Sequence, residues 1–157
     1  MLKEAIIELG GRAAIFTPNR VMEGYGVNSR IVEEANANGA SVLLTCDNGI
    51  AAFEAIDEAK KLGMTVIVTD HHEVPFEEHD GKKIYLLPKA DAIVDPKQED
   101  CAYPFKSLCG TGVAYQLMTL LFRRMKRTMS HQEIFLQYTA IATVADVMEL
   151  VGENRIL

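Results

Sequence analysis

Three places in the sequence gather residue types that can hold a cation or move a proton: Asp47, the run Asp70-His71-His72, and Asp146. Each closes a short apolar or β-branched run: Val42-Leu43-Leu44-Thr45-Cys46 before Asp47, Val66-Ile67-Val68-Thr69 before Asp70, and Ala142-Thr143-Val144-Ala145 before Asp146. Carboxylate oxygens joined by one or two imidazoles suit Mg²⁺ or Mn²⁺ better than a structural zinc, which favours Cys and His. Two such ions about 3.5–4 Å apart can clamp a phosphoryl group, generate a hydroxide and stabilise the leaving oxygen. Plainer roles fit the same residues one at a time. A strand-end Asp such as Asp47 also serves as a helix N-cap or turn residue. Adjacent His71 and His72 point in different directions, so one can be structural. Asp146 can cap a helix or pair with Arg155; read as the one charge in an apolar stretch, it is expected to need a partner.

The elements that must position these groups follow a repeated helix–glycine–strand pattern. Ala13-Ala14-Ile15-Phe16 follows Gly10-Gly11, Val42-Leu43-Leu44 follows Gly39, and Val66-Ile67-Val68 follows Gly63. Short apolar runs bounded by glycine predict strands buried on both faces. Between them, residues 50–62 place Ala52, Phe53, Ile56 and Ala59 on one helical face, with Lys60 and Lys61 in the last turn and Gly63 to stop it. A second helix is predicted from Asn28 or Ser29 to Gly39. Alternating helices and buried strands predict an α/β fold, a mostly parallel sheet flanked by helices, with ligands just beyond the strand C-termini. Residues 73–100 carry Pro75, Pro88 and Pro96 and lose the regular pattern; short strands are expected only near 82–86 and 92–94. Helices near 112–127 and 130–144 complete the chain.

The bulk numbers bound the rest. At 157 residues, with 48% hydrophobic and 24% charged residues, the chain is expected to be one globular domain without a spanning segment. Three cysteines without CxxC spacing argue against a disulfide framework or zinc knuckle and fit a reducing, cytoplasmic compartment. The net charge of −6 excludes nucleic-acid binding by overall charge, leaving clustered carboxylates neutralised by metal, or a basic surface supplied elsewhere. Arg123, Arg124, Lys126 and Arg127 form the basic cluster, in a position that also suits a helix dipole.

Several segments resemble the DHH phosphoesterase family. Thr69-Asp70-His71-His72-Glu73 matches the signature that names it, Thr45-Cys46-Asp47-Asn48-Gly49-Ile50 resembles its second motif, and Thr143-Val144-Ala145-Asp146-Val147 its fourth. The likeness is to the RecJ branch: Pro18-Asn19-Arg20, Glu23-Gly24-Tyr25-Gly26, Asp95-Pro96, Tyr103-Pro104-Phe105, Leu108-Cys109-Gly110-Thr111-Gly112-Val113-Ala114 and Glu153-Asn154-Arg155 occur in the branch's order. The resemblance implies metal ligation by Asp47, His71 and Asp146, a phosphate contact by His72, and Asp70 orienting an imidazole or binding metal weakly. It implies Mn²⁺ or Mg²⁺ as cofactor and single-stranded DNA as substrate, with single-strand-binding protein or helicase as partners. Arg20 and Tyr25 can offer a phosphate fork and a stacking surface, or Gly24-Tyr25-Gly26 can be a turn. Gly110 and Gly112 can cradle a phosphate or close-pack a turn, and Arg155 lies in the last matching segment.

One departure matters. Family members open with a strand bearing Asp-x-Asp, and no aspartate precedes Asp47 here. The resemblance therefore implies a single catalytic domain over 1–157 that lacks its first strand and the family's later substrate-binding domain. Weak metal affinity, weak catalysis and an exposed sheet edge are expected to follow. Two further readings are an inactive scaffold of the same fold binding protein or nucleic acid, and a phosphodiesterase for small substrates such as oligoribonucleotides, cyclic dinucleotides or pyrophosphate.

Overall fold

The computed structural model describes residues 1–157 apart from the side chain of Arg20, which lies outside the described residues. In chain order the elements are α1 (Leu2–Glu8), α2 (Arg20–Glu23), α3 (Ser29–Ala37), β1 (Val42–Leu44), α4 (Phe53–Lys61), β2 (Thr65–Thr69), β3 (Phe76–His79), β4 (Lys82–Tyr85), β5 (Ala92–Val94), α5 (Gly110–Arg124), α6 (Gln132–Ala145) and α7 (Gly152–Ile156). They divide into two compact units, a sheet unit (Phe16–Ala102) and a helical unit (Met1–Ile15 with Tyr103–Leu157). Among the described residues no helix is long and apolar enough to cross a membrane.

The sheet unit is built on a parallel sheet in the order β1-β2-β5. Val66 and Val68 of β2, two residues apart and so on one face of the strand, are fully buried, while on the other face Thr65 is exposed, Ile67 partly buried and Thr69 buried. Val66 and Val68 pack with Ile56 and Ala59 of α4 and Val32 and Ala35 of α3, so the apolar stripes of both helices close on the strands. Asn28 caps α3 by accepting from the Ile31 N–H at 3.0 Å. At the sheet's amino end, Asp91 accepts from Lys60 Nζ and from the Val66 N–H, both at 2.6 Å, tying the last turn of α4 to β2 and the start of β5.

Two expectations need correction. Ala13–Phe16 does not form a strand: residues 11–19 carry no helix or strand, and Ile15 is exposed. Apolar, β-branched composition prepares a strand, but only a ladder partner makes one, and the ladder of β1 goes to β2. The stretch after Glu73 is more regular than predicted, since β3 and β4 form an antiparallel hairpin. Asp80 and Gly81 turn it with φ of 52° and 72°, the paired positive values of a tight two-residue turn. Phe76 and Tyr85 face each other edge-on at 5.9 Å across the hairpin, and Lys83 Nζ lies 4.1 Å over the Phe76 ring.

The helical unit has its own core, with Ala5 of α1 against Tyr115, Met118 and Phe122 of α5 and Phe135 of α6. Only one face of α6 is buried, through Phe135, Thr139 and Thr143. The two threonine hydroxyls donate to carbonyls one turn back, at 2.9 and 2.8 Å, which lets them sit in an apolar interface. The opposite face, including Ile134, Tyr138, Ile141 and Val144, is exposed.

Candidate metal centre

The carboxyl end of the sheet is where chemistry collects. The ladder between β1 and β2 runs past the strand ends: Thr45 N–H donates to Ile67 O and Asp47 N–H to Thr69 O, each at 3.0 Å. The Thr69 hydroxyl donates to Thr45 O at 2.6 Å. These bonds hold Asp47 beside the start of Asp70-His71-His72. The chain then turns sharply at Gly49, whose φ is 117°. A Cβ there would lie 2.8 Å from Thr45 Oγ1 and 3.2 Å from Val68 Cγ1, so glycine alone permits this approach. The turn delivers the Ile50 N–H to Asp70 Oδ2 at 2.9 Å.

Asp70 is almost wholly buried, with 1% of its surface exposed, and its hydrogen-bonding capacity is taken up by the protein. Oδ2 accepts from Ile50, while Oδ1 accepts from the His71 N–H at 2.8 Å and faces the His72 N–H at 3.3 Å and His72 Nδ1 at 2.6 Å. It therefore fixes the imidazole of His72, leaving that ring half exposed with its far nitrogen directed away from the carboxylate. Of the two roles the resemblance implied for Asp70, orientation of an imidazole fits these bonds.

Asp47 is different. Its φ of 64° places it in the left-handed region, unusual for a residue with a Cβ, and such strain concentrates at functional sites. His71 Nε2 lies 2.9 Å from Asp47 Oδ1, yet that buried oxygen has no well-aligned hydrogen-bond donor. The close pairing with His71 holds the Asp47 carboxyl below the usual carboxylate range, helped by the charges of His71 and His72 and by Tyr25, against the opposing effect of burial. The Tyr25 hydroxyl donates to Asp47 O at 2.6 Å and lies 3.3 Å from Oδ2, and its ring meets His72 edge-on at 6.3 Å. The turn segment around Tyr25 is therefore anchored to Asp47.

Asp47, His71 and His72 each bring one ligand-type atom within 4.8 Å of the others. A charged oxygen without an aligned donor, two imidazoles and no ion pair from a described lysine or arginine make a donor set that fits a divalent cation of the Mg²⁺ or Mn²⁺ kind.

The remaining predicted residues are placed as follows. Asp146 closes α6 in the helical unit, its N–H donating to Ala142 O at 2.9 Å. It is exposed, so the burial expected for it is corrected; of the apolar stretch before it, Ile141 and Val144 are exposed and Thr139 and Thr143 are buried. Gly110 and Gly112 are buried in the first turn of α5. The Gly112 N–H already donates to Cys109 Sγ at 3.3 Å, and a Cβ there would press on Leu108 at 3.3 Å, which is the geometry of close packing and not of an open phosphate cradle. Arg155 is exposed on α7, and the side chain of Arg20 lies outside the described residues.

Sequence reasoning passed over Asp95. It follows β5 as Asp47 follows β1 and Asp70 follows β2, so the same strand-end rule points to it. It is 2% exposed, with Oδ1 accepting from the Lys97 N–H at 2.8 Å and Oδ2 buried without a hydrogen-bond partner.

The chain is 38% identical over 98% of its length to the single-stranded-DNA-specific exonuclease RecJ of Dickeya dadantii, covering 27% of that protein. It is 41% identical over 89% of its length to the RecJ of Escherichia coli, covering 24%. The chain thus spans about a quarter of these relatives. Among solved structures, an exonuclease RecJ bound to manganese superposes with a TM-score of 0.79 at 30% identity, over 99% of this chain and 36% of that one. RecJ of Thermus thermophilus in complex with Mn²⁺ superposes at 0.71 and 27% identity, over 98% of this chain and 20% of that one. A family model for the DHH family, N-terminal domain, matches residues 1–143, with the Asp70-His71-His72 run inside it, and the chain belongs to the DHH family.

Proposed function

We propose that this chain forms the catalytic phosphoesterase portion of a RecJ-type nuclease, a cytoplasmic enzyme that removes nucleotides from the 5′ end of single-stranded DNA with Mn²⁺ or Mg²⁺. The observation that carries the reading is the convergence of Asp47, His71 and His72 within 4.8 Å at the end of a parallel sheet. RecJ identity across nearly the whole chain supports the substrate class.

Asp47 and His71 are the ligands in this reading, and Asp146 joins them on the strength of its motif. A divalent pair, when bound, polarises the phosphate and lowers the pKa of a water so that hydroxide is available near neutral pH. The protein's own work is positional. Asp70 holds His72 Nδ1 at 2.6 Å, fixing the half-exposed ring so that its far nitrogen can meet a non-bridging phosphate oxygen. Tyr25 holds the main chain of Asp47 and keeps a ring edge beside His72, where a base or sugar of the strand can pack. A domain of net charge −6 gains little from bulk attraction to DNA, so local neutralisation at this cluster matters more here than overall charge.

The test is a Mn²⁺ titration by calorimetry on the 157-residue chain, paired with digestion of 5′-phosphorylated single-stranded DNA and of dinucleotides. The expected result is Mn²⁺ binding that Asp47→Ala and His71→Ala abolish, with any turnover favouring the long single strand. Mn²⁺ binding untouched by both substitutions, or none at all in the parent, refutes the reading.

A further inference from the structure

Asp95 is a buried carboxylate that the metal-ligand reading leaves without a role. The register of the parallel pair sets Thr69 beside Val94, so Asp95 follows β5 where Asp70 follows β2. The Asp70 N–H donates to Val94 O at 3.1 Å, which locks the two strand ends together. One oxygen of Asp95 serves its own turn through the Lys97 N–H at 2.8 Å. The other is sealed from solvent and has no hydrogen-bond partner. A carboxylate kept in that condition is costly, and a plain turn residue has no need of it, since asparagine accepts the same Lys97 bond without the charge.

The environment says what the charge is near. Burial raises the Asp95 carboxyl above its usual range; among the charges it feels, Asp70 raises it, and Lys97 and His71 lower it. Lys97 has its own partner, with Nζ 2.8 Å from Glu73. Asp95 thus adds negative potential behind the Asp70–His71 strand end, where Asp47 and Asp70 pair with imidazoles and with no described lysine or arginine.

We propose that Asp95 is a positioning residue of the metal centre: its buried, unpartnered Oδ2 stands beside the Asp70 strand end that carries His71 and His72, and its charge raises the affinity of Asp47 and His71 for a divalent cation without ligating it. The strand end then has two supports, Asp70 through its direct bond to His72 Nδ1 and Asp95 through the charge it adds beside Asp70. This inference rests on the metal-centre reading above. In the metal-free protein Asp95 is a destabilising feature, and it becomes useful only when a cation is present.

That opposition gives the test. Asp95→Asn in the whole chain keeps the Lys97 acceptor and volume while removing the charge. Mn²⁺ affinity is measured by calorimetry and the metal-free Tm by thermal melting, with Asp95→Ala to isolate the turn. The expected result for Asp95→Asn is a loss of Mn²⁺ affinity of about tenfold with a metal-free Tm equal to or above the parent's. Asp95→Ala is expected to lose affinity similarly and also to melt lower, through the lost Lys97 bond. If the parent binds Mn²⁺ through His71 and Asp95→Asn binds within about twofold of it, the inference is overturned and the metal centre stands. A metal-free Tm that falls in Asp95→Asn also overturns it, since the charge is then structural. A parent that binds no Mn²⁺ overturns the metal-centre reading and this inference together.

Discussion

The two ends of the parallel sheet treat the same side chain in opposite ways. At the amino end, Asp91 lies against Lys60 Nζ at 2.6 and 2.8 Å, and the pair ties α4 to the sheet. At the carboxyl end, Asp47, Asp70 and Asp95 follow three adjacent strands, and the ion pairs of Asp47 and Asp70 are with imidazoles. A carboxylate with a resident ammonium group has its electrostatic need met within the chain. Among the described residues, carboxylates whose ion pairs are with imidazoles, as for Asp47 and Asp70, keep negative charge that a cation from solution can satisfy. Within the carboxyl end the contrast repeats, because Asp70 is saturated by main-chain donors while Asp47 keeps an oxygen without an aligned one. Between Asp47 and Asp70, at neighbouring strand ends, hydrogen-bond saturation separates the ligand from the positioning carboxylate.

The largest expected effect breaks that contrast at Asp70. Asp70→Ala leaves the buried N–H groups of Ile50 and His71 without acceptors and frees the His72 ring, so it is expected to cost about 3 kcal/mol or more of stability. Urea denaturation reads it, and a loss below about 1 kcal/mol contradicts the saturation argument. Asp47→Ala is expected to do the reverse, removing Mn²⁺ binding while shifting stability by no more than about 1 kcal/mol. Asp47→Gly sharpens the point: it loses the metal equally, yet with φ at 64° it is expected to be about 1 kcal/mol more stable than Asp47→Ala.

These positions also show what was legible in the sequence. β1 and β2, with α3 and α4 before them, follow from apolar runs punctuated by Gly39 and Gly63, and β5 from the short apolar run 92–94. The residues of the Asp47–His71–His72 cluster were legible too, since a parallel sheet delivers its strand ends to one edge. Asp95 obeys the same rule, but in the sequence the proline beside it and the irregular stretch around it mask the strand that delivers it. The hairpin had its signal in Asp80-Gly81, obscured by the surrounding prolines and charges and by strands whose residues are all exposed, so no alternation of burial marks them. Ala13–Phe16 failed the other way, because composition cannot supply a ladder partner. The exposure of Asp146 was not legible, since apolar neighbours such as Ile141 and Val144 suggest burial whether or not anything covers them.

Tyr25 gives a smaller test, on the link between an exposed segment and a ligand. Tyr25→Phe keeps the ring beside His72 and removes the hydroxyl from Asp47 O, a bond of 2.6 Å. A stability loss of about 0.5–1.5 kcal/mol is expected, together with weaker Mn²⁺ binding as the left-handed conformation of Asp47 loosens. An unchanged titration curve means that the ladder bond from Asp47 N–H to Thr69 O holds the ligand unaided.

The smallest effect belongs to the amino end and serves as the control for all the others. Lys60 holds the Asp91 carboxyl below its usual range, first through the side-chain hydrogen bond and then with the Val66 N–H. A carboxyl whose pKa is lower folded than unfolded adds stability above its unfolded value and loses it as pH falls through the folded one. Asp91→Asn is therefore expected to melt slightly below the parent at neutral pH, with the gap closing in acid as the parent's carboxylate takes up its proton. Because the pair is solvent-exposed, salt is expected to shrink the gap as well. Mn²⁺ binding is expected to be the same in both proteins, since Asp91 precedes β5 and the cluster lies at the other end of the sheet. If Asp91→Asn weakens Mn²⁺ binding as much as Asp95→Asn does, the two ends are not electrically separate, and net negative charge, not its placement at the strand C-termini, draws the cation.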